Sequence, residues 1–156
     1  MSKHYDAIII GAGQAGPSLA ARLTTEGQQV AIIERHLFGG TCVNTGCIPT
    51  KTLVASAKVA NMAQRGKEYG VMSGDVTVDM KKVKARKDSV VEQSNKGVTG
   101  WLKGMDHLDV YEGHGKFIDN HSVTVNDKTL TAENIYIDVG ARARVPNMPG
   151  LEDIDY

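Results

Sequence analysis

Two cysteines and one glycine-rich turn are the parts of this chain whose residue types and spacing can do chemistry. Cys42 and Cys47 lie in the run Gly39-Gly40-Thr41-Cys42-Val43-Asn44-Thr45-Gly46-Cys47-Ile48-Pro49-Thr50-Lys51. On a regular helix such a pair stands roughly 8 Å apart, at 1.5 Å of rise per residue. A disulfide needs Cα atoms within about 7 Å. If the pair bonds, the backbone must leave helical geometry between them, and Gly46 is the residue that allows it. A bond closing so short a loop constrains the unfolded chain little, which favours a reactive bond over a structural staple. A cysteine at a helix N-terminus would also form its thiolate readily. A structural disulfide and a metal site are the competing readings. A metal would need further ligands, and His36 is the only nearby histidine. His4, His36, His107, His114 and His121 read as surface or turn residues rather than ligands or bases.

The turn is Gly11-Ala12-Gly13-Gln14-Ala15-Gly16, a G-x-G-x-x-G pattern. Gly11 permits a tight exit from a strand, Gly13 lets a pyrophosphate approach the backbone, and Gly16 lets the following helix pack on the sheet. The helix N-terminus offers N–H groups and partial positive charge to phosphates. Glu34, about 20 residues on, can accept from ribose hydroxyls. The pattern implies dinucleotide binding and does not by itself separate FAD from NAD.

The elements that must position these residues follow from periodicity. Tyr5 to Ile10 reads as a buried strand, Gln14 to Glu26 as a helix with Leu19, Ala20 and Leu23 inward, and Gln29 to Ile33 as a second buried strand. Pro17 falls in the first turn of that helix, where a missing N–H is harmless. A right-handed crossover makes the two strands parallel neighbours. A helix is expected over Pro49–Glu68, with Leu53, Val54, Ala57, Ala60 and Met62 as its apolar residues, then a break at Gly70 and Gly74. A second long helix is expected over Asp79–Lys103, with Asp79 as N-cap. From Leu108 the period becomes two. Val110, Lys116–Ile118, Val123 and Val125, with turn signals at Asp119-Asn120 and Asn126-Asp127, read as a small antiparallel meander. Ile135 to Val139 reads as a further buried strand, and Pro146, Pro149 and Gly150 as a linker.

Composition bounds the rest. The 156 residues suffice for one domain, and 18 Lys plus Arg balance 18 Asp plus Glu. No net field steers nucleic acid or an anionic membrane to the chain. The basic run Lys81, Lys82, Lys84, Arg86 and Lys87 reads as a solvated helix face. The apolar run Ala7–Ile10 is too short for a signal peptide or a membrane span, so cytoplasmic residence is the default expectation.

The run Gly39–Lys51 closely resembles the redox-active signature of class I pyridine nucleotide–disulfide oxidoreductases. The resemblance continues through Glu34-Arg35, Gly113-His114-Gly115 and Val139-Gly140-Ala141. The wording Thr-Cys-Val-Asn-Thr-Gly-Cys-Ile-Pro-Thr-Lys-Thr and the Gly100–Gly104 stretch are most similar to the mercuric reductase-like branch. The resemblance implies an α/β, Rossmann-like FAD-binding domain with a parallel sheet plus a small antiparallel meander. It implies that Gly11, Gly13 and Gly16 hold the FAD pyrophosphate and that Glu34, beside Arg35, holds the adenosine ribose. Gly40 and Thr41 would line the phosphate path. Cys42 would exchange with substrate and Cys47 would face the flavin, the two forming a redox disulfide. Lys51 would sit near the flavin edge, Gly115 at the adenine side, and Gly140 near the cofactor.

The implied parent enzyme passes electrons from NAD(P)H through FAD to the Cys42–Cys47 disulfide. From there they pass to a small-molecule disulfide or a metal ion, and no resident metal is implied. It is a homodimer roughly three times this length, in keeping with domains of ~150 residues each. Residues 1–145 would be an incomplete FAD domain and 146–156 a linker. A second dinucleotide fingerprint, the segment completing the FAD site and the interface domain carrying a partner's catalytic His are not found in the sequence. The fragment alone is therefore expected not to turn over. Thr50 stands where Ser is common, and Asp138-Val139-Gly140 replaces the usual Ala-Thr-Gly. The alternatives are a stand-alone FAD or nucleotide-binding module without turnover, and a fragment that folds without cofactor.

Overall fold

The computed structural model describes residues 2–155, so Met1 and Tyr156, the outer ends of the two expected segments, lie outside the described residues. The chain opens as expected from its hydrophobic runs. Strand β1 (Ser2–Ile10) leads through the glycine turn to helix α1 (Ala15–Thr25) and strand β2 (Val30–Glu34). β1 and β2 pair in parallel, with Ile9 opposite Ile32. Gly27, at φ +82, reverses the chain after α1.

The cysteine segment then forms two helices, α2 (Gly40–Asn44) and α3 (Cys47–Gln64). α3 begins two residues before the expected Pro49 and ends before Glu68, because Gly66–Tyr69 tightens into a 3-10 turn. Gly70 and Gly74, both at positive φ, make the expected break. Helix α4 (Met80–Lys103) starts where the sequence places it: the Asp79 carboxylate accepts from Lys81 N at 3.0 Å and Lys82 N at 3.1 Å.

The β elements after α4 depart from the expectation. Strand β3 (Leu108–Glu112), which contains Val110, is not part of the meander. It runs parallel to β2 at the opposite edge of the sheet, Val110 facing Ile32. Period-two alternation marks a half-buried strand but carries no information on strand direction, and α4 acts as a crossover. Strands β4 (Lys116–Asp119) and β5 (Ser122–Val125) pair antiparallel, and β5 pairs antiparallel with β6 (Lys128–Ile137). β6 is one long strand of which the expected Ile135–Val139 catches only the last three residues, and Ile137 and Val139 are exposed rather than buried, no described element covering this end. Its start pairs with β5, and its whole length pairs in parallel with β1. The Asn126-Asp127 turn joining β5 to β6 has both residues at positive φ, as a tight hairpin demands.

The result is one six-stranded mixed sheet of order β3-β2-β1-β6-β5-β4, parallel over its first four strands and antiparallel beyond. The parallel sheet and the antiparallel strands are thus a single sheet, joined through β6. On one face Ala7, Ile9, Val30 and Ile32 pack under Ala20 of α1 and Leu102 of α4. On the other, Ile8, Ile10, Ala31 and Ile33 cluster with Val123, Val125, Leu130 and Ala132. Each fully buried aliphatic side chain contributes roughly 1.5–3 kcal/mol. At the far end of the sheet Tyr5 donates to Asp109 and its hydroxyl lies 2.6 Å from that of Tyr111, tying β1 to β3 across β2. Among the described residues no helix is long and apolar enough to cross a membrane.

Candidate active site

The C-terminal ends of β1, β2 and β6 converge on the glycine turn. Gly11 N–H donates to Ile33 O and Asp138 N–H to Ile10 O, both at 2.8 Å. Gly11 has φ +110, and a Cβ there would lie 2.0 Å from Asp138 O. A Cβ on Gly16 would lie 2.2 Å from Gly11 O. The fold itself therefore requires these two glycines. Gly13 differs, because a Cβ there would meet the Asp138 carboxylate at 3.5 Å and the Asp138 carbonyl oxygen at 4.0 Å, both ordinary contacts. No protein atom demands glycine at that position.

The first four N–H groups of a helix have no partner within it. At α1 these belong to Gln14, Ala15, Gly16 and residue 17, which is proline and has none. Gly16 N–H donates to Asp138 Oδ2 at 2.7 Å. Gln14 and Ala15 remain for an anion. Glu34, at the end of β2, accepts from Ala12 N at 2.9 Å and His36 N at 2.8 Å, one bond to each carboxylate oxygen. It braces the glycine turn and keeps further lone pairs for a ligand hydroxyl. Arg35 beside it is exposed.

The cysteine segment is docked directly on this turn. Gly39 N–H donates to Ala12 O at 2.8 Å, and Gln14 Nε2 donates to Gly39 O at 3.2 Å. A Cβ on Gly40, at φ +57, would come within 2.8 Å of Gly13 Cα. Asn44 Nδ2 donates to Phe38 O and Gly40 O, both at 2.9 Å. Asn95 of α4 donates to Phe38 O at 2.8 Å and to Asn44 Oδ1 at 3.0 Å, clamping the segment from above. The sequence reading did not single out Asn44 or Asn95. The available signal was position: Asn95 shares a helix face with Val98 and Leu102, both of which pack on the core.

Between the cysteines the backbone does leave helical geometry. Thr45 has φ −135 and Gly46 has φ −115 with ψ −101, so α3 starts afresh at Cys47. Gly46 does not need left-handed geometry here. Its N–H donates to Thr41 O at 2.6 Å, and a Cβ would press on that same oxygen at 3.0 Å. Both cysteines are free thiols, Cys42 half-buried and Cys47 exposed. The adjacent Cys47 side chain first, and then burial, push the Cys42 thiol above its ordinary range, while the Lys51 charge pulls it the other way.

Of the remaining expected residues, Gly115 and Gly140 lie at these strand ends, while Thr41 and Lys51 are carried by helices. Lys51 and Thr41 are exposed on α3 and α2. Gly115 lies over the strand ends, where a Cβ would meet Ile10 and Ile33 at 3.4 Å. Gly140, at φ +66, follows the end of β6 with open space around it. No His, Cys, Asp or Glu side chains gather in threes as a metal site among the described residues. The five histidines are exposed. A dinucleotide fits the donor set: a glycine the fold does not itself require, two spare helix N–H groups and a braced carboxylate.

The sequence profile of the pyridine nucleotide-disulphide oxidoreductase family matches residues 5–156. A dihydrolipoyl dehydrogenase of Acholeplasma laidlawii is 42% identical over 98% of this chain and 46% of its own length. A mercuric reductase of Staphylococcus aureus is 34% identical over 97% of this chain and 28% of its own. Among solved structures, the HOCl-induced flavoprotein disulfide reductase RclA from Escherichia coli superposes with a TM-score of 0.78 at 37% identity. That match covers 95% of this chain and 31% of RclA. The chain thus spans less than half the length of these relatives.

Proposed function

The chain belongs to the pyridine nucleotide-disulphide oxidoreductase family, and from that premise we propose that it is the FAD-binding, redox-cysteine part of a flavoprotein reductase. Gly11, Gly13 and Gly16 with the Gln14 and Ala15 amides would take the pyrophosphate, and Glu34 the ribose. Gly40, Thr41, Lys51, Gly115 and Gly140 would border the cofactor, with Arg35 at the adenosine end. Bound FAD would supply hydride acceptance from NAD(P)H and two-electron transfer. Residues 1–145 would form this domain, and 146–156 would lead towards further domains of a longer, homodimeric enzyme.

The cysteines would do the exchange. A bridge between Cys42 and Cys47 takes up two electrons and two protons to give two thiols. The Cys42 thiolate then attacks a substrate disulfide, releasing one substrate thiol and forming a mixed disulfide. Cys47 attacks the Cys42 sulfur, releases the second thiol and restores the bridge. A soft metal ion is the other substrate class such a thiol pair suits.

The observation carrying this reading is the docking of Gly40 on Gly13, which sets the cysteine helix against the phosphate turn. The test is spectroscopic. FAD is added to the chain, the complex is reduced stepwise with dithionite, and the absorbance beyond the flavin bands is followed. A thiolate–flavin band that disappears in Cys47→Ser and persists in Cys42→Ser is expected. A chain that holds FAD but shows no such band would sink the redox role and leave a nucleotide-binding module.

A further inference from the structure

Asp138 follows the end of β6 at the place where the family pattern has an uncharged residue, and it stands beneath the glycine turn. Its Oδ2 accepts from Gly16 N–H at 2.7 Å. The same oxygen would lie 3.3 Å from a Cβ on Gly16 and 3.5 Å from one on Gly13. The backbone cannot swing it away, because Asp138 N–H is held by Ile10 O at 2.8 Å and its carbonyl abuts Gly11. Among the described residues Asp138 takes part in no ion pair. The site that must receive a pyrophosphate therefore already holds one anion, half-buried and on the helix end itself.

The two effects of this carboxylate oppose each other. As an acceptor it satisfies a free N–H at the start of α1 and fixes the turn. As a charge it draws on the same helix-end potential, equivalent to roughly half a positive charge, that a phosphate would use. We propose that Asp138 is a positioning residue that shapes the phosphate turn through Gly16 and, by its negative charge, loosens the turn's hold on the FAD pyrophosphate. This rests on the FAD reading above. An amide at this position would keep the acceptor and drop the charge.

The experiment measures FAD and ADP binding by calorimetry to the 156-residue chain and to Asp138→Asn and Asp138→Ala, with thermal melts of each without ligand. Asp138→Asn should bind both ligands about tenfold tighter, ~1.4 kcal/mol. The gain should shrink as salt rises, because screening weakens the repulsion it removes. Asp138→Ala should melt about 2–4 °C lower than Asp138→Asn, since it loses the acceptor for Gly16 N–H as well. Asp138→Ser, a second uncharged acceptor, replaces Asp138→Asn should that variant not fold. Equal or weaker FAD binding by the uncharged acceptor overturns the charge effect and leaves the FAD reading standing. Equal melting of Asp138→Ala overturns the positioning role. If folded parent and variants bind neither FAD nor ADP, the FAD reading falls and takes this proposal with it.

Discussion

The thiolate is the nucleophile in disulfide exchange, and the neighbouring Cys47 pushes the Cys42 thiol up. In Cys47→Ala that neighbour is gone, so the Cys42 thiol should ionise at lower pH than in the parent chain. Alkylation of Cys42 by iodoacetamide, followed by mass spectrometry across pH 6 to about 10, a range spanning ordinary thiol values, should show its midpoint move to lower pH. A midpoint that stays or rises would mean that the pair does not interact as described. That the backbone must leave helical geometry between the two cysteines was legible from sequence, and it does so at Thr45 and Gly46. That Cys42 is a thiol its neighbour pushes up was not, since that depends on orientation across this break.

At the scale of elements, the glycines of one motif divide into two kinds. Gly11 and Gly16 are required by the strand–turn–helix itself, while a Cβ on Gly13 would make only ordinary contacts, all with Asp138. Gly16→Ala should therefore destabilise the chain, by an estimated 1–3 kcal/mol typical of overpacking, as read by urea unfolding. Gly13→Ala should unfold within about 0.5 kcal/mol of the parent yet lose most of its FAD affinity. Equal losses of stability in the two would show that Gly13 serves the fold and not a ligand. The start of α4 was legible because Asp79 can reach the second and third N–H groups of any helix that follows it. The apolar residues expected on α3 were legible only as composition. Leu53, Val54 and Met62 remain 40%, 46% and 52% exposed, because none of the described residues covers them fully.

The whole molecule consequently carries more uncovered apolar surface than a lone domain of its size tolerates comfortably. Besides the α3 residues, Ile137 at the end of β6 is 65% exposed and Met72 is 85% exposed. β3 and β4 are both sheet edges with unpaired backbone groups. The chain should therefore self-associate as its concentration rises, and light scattering coupled to size exclusion should find masses above that of one chain. A clean single-chain mass at high concentration would show that this surface is tolerated. In the longer relatives, further chain is available to cover such surface.

The amino-acid sequence alone determined the βαβ opening, the phosphate turn and the reactive cysteine pair, because each is encoded in residues near one another and governed by local sterics. The direction and partner of β3, the continuity of β6 and the clamp of Asn95 on Asn44 were decided only in three dimensions. Strand pairing is a choice among distant partners, and periodicity records which face is buried but not against what. The position of Asp138 is of the same kind. Its departure from the family pattern was visible in the sequence, and its seat on the α1 N-terminus exists only because β6 lies beside β1.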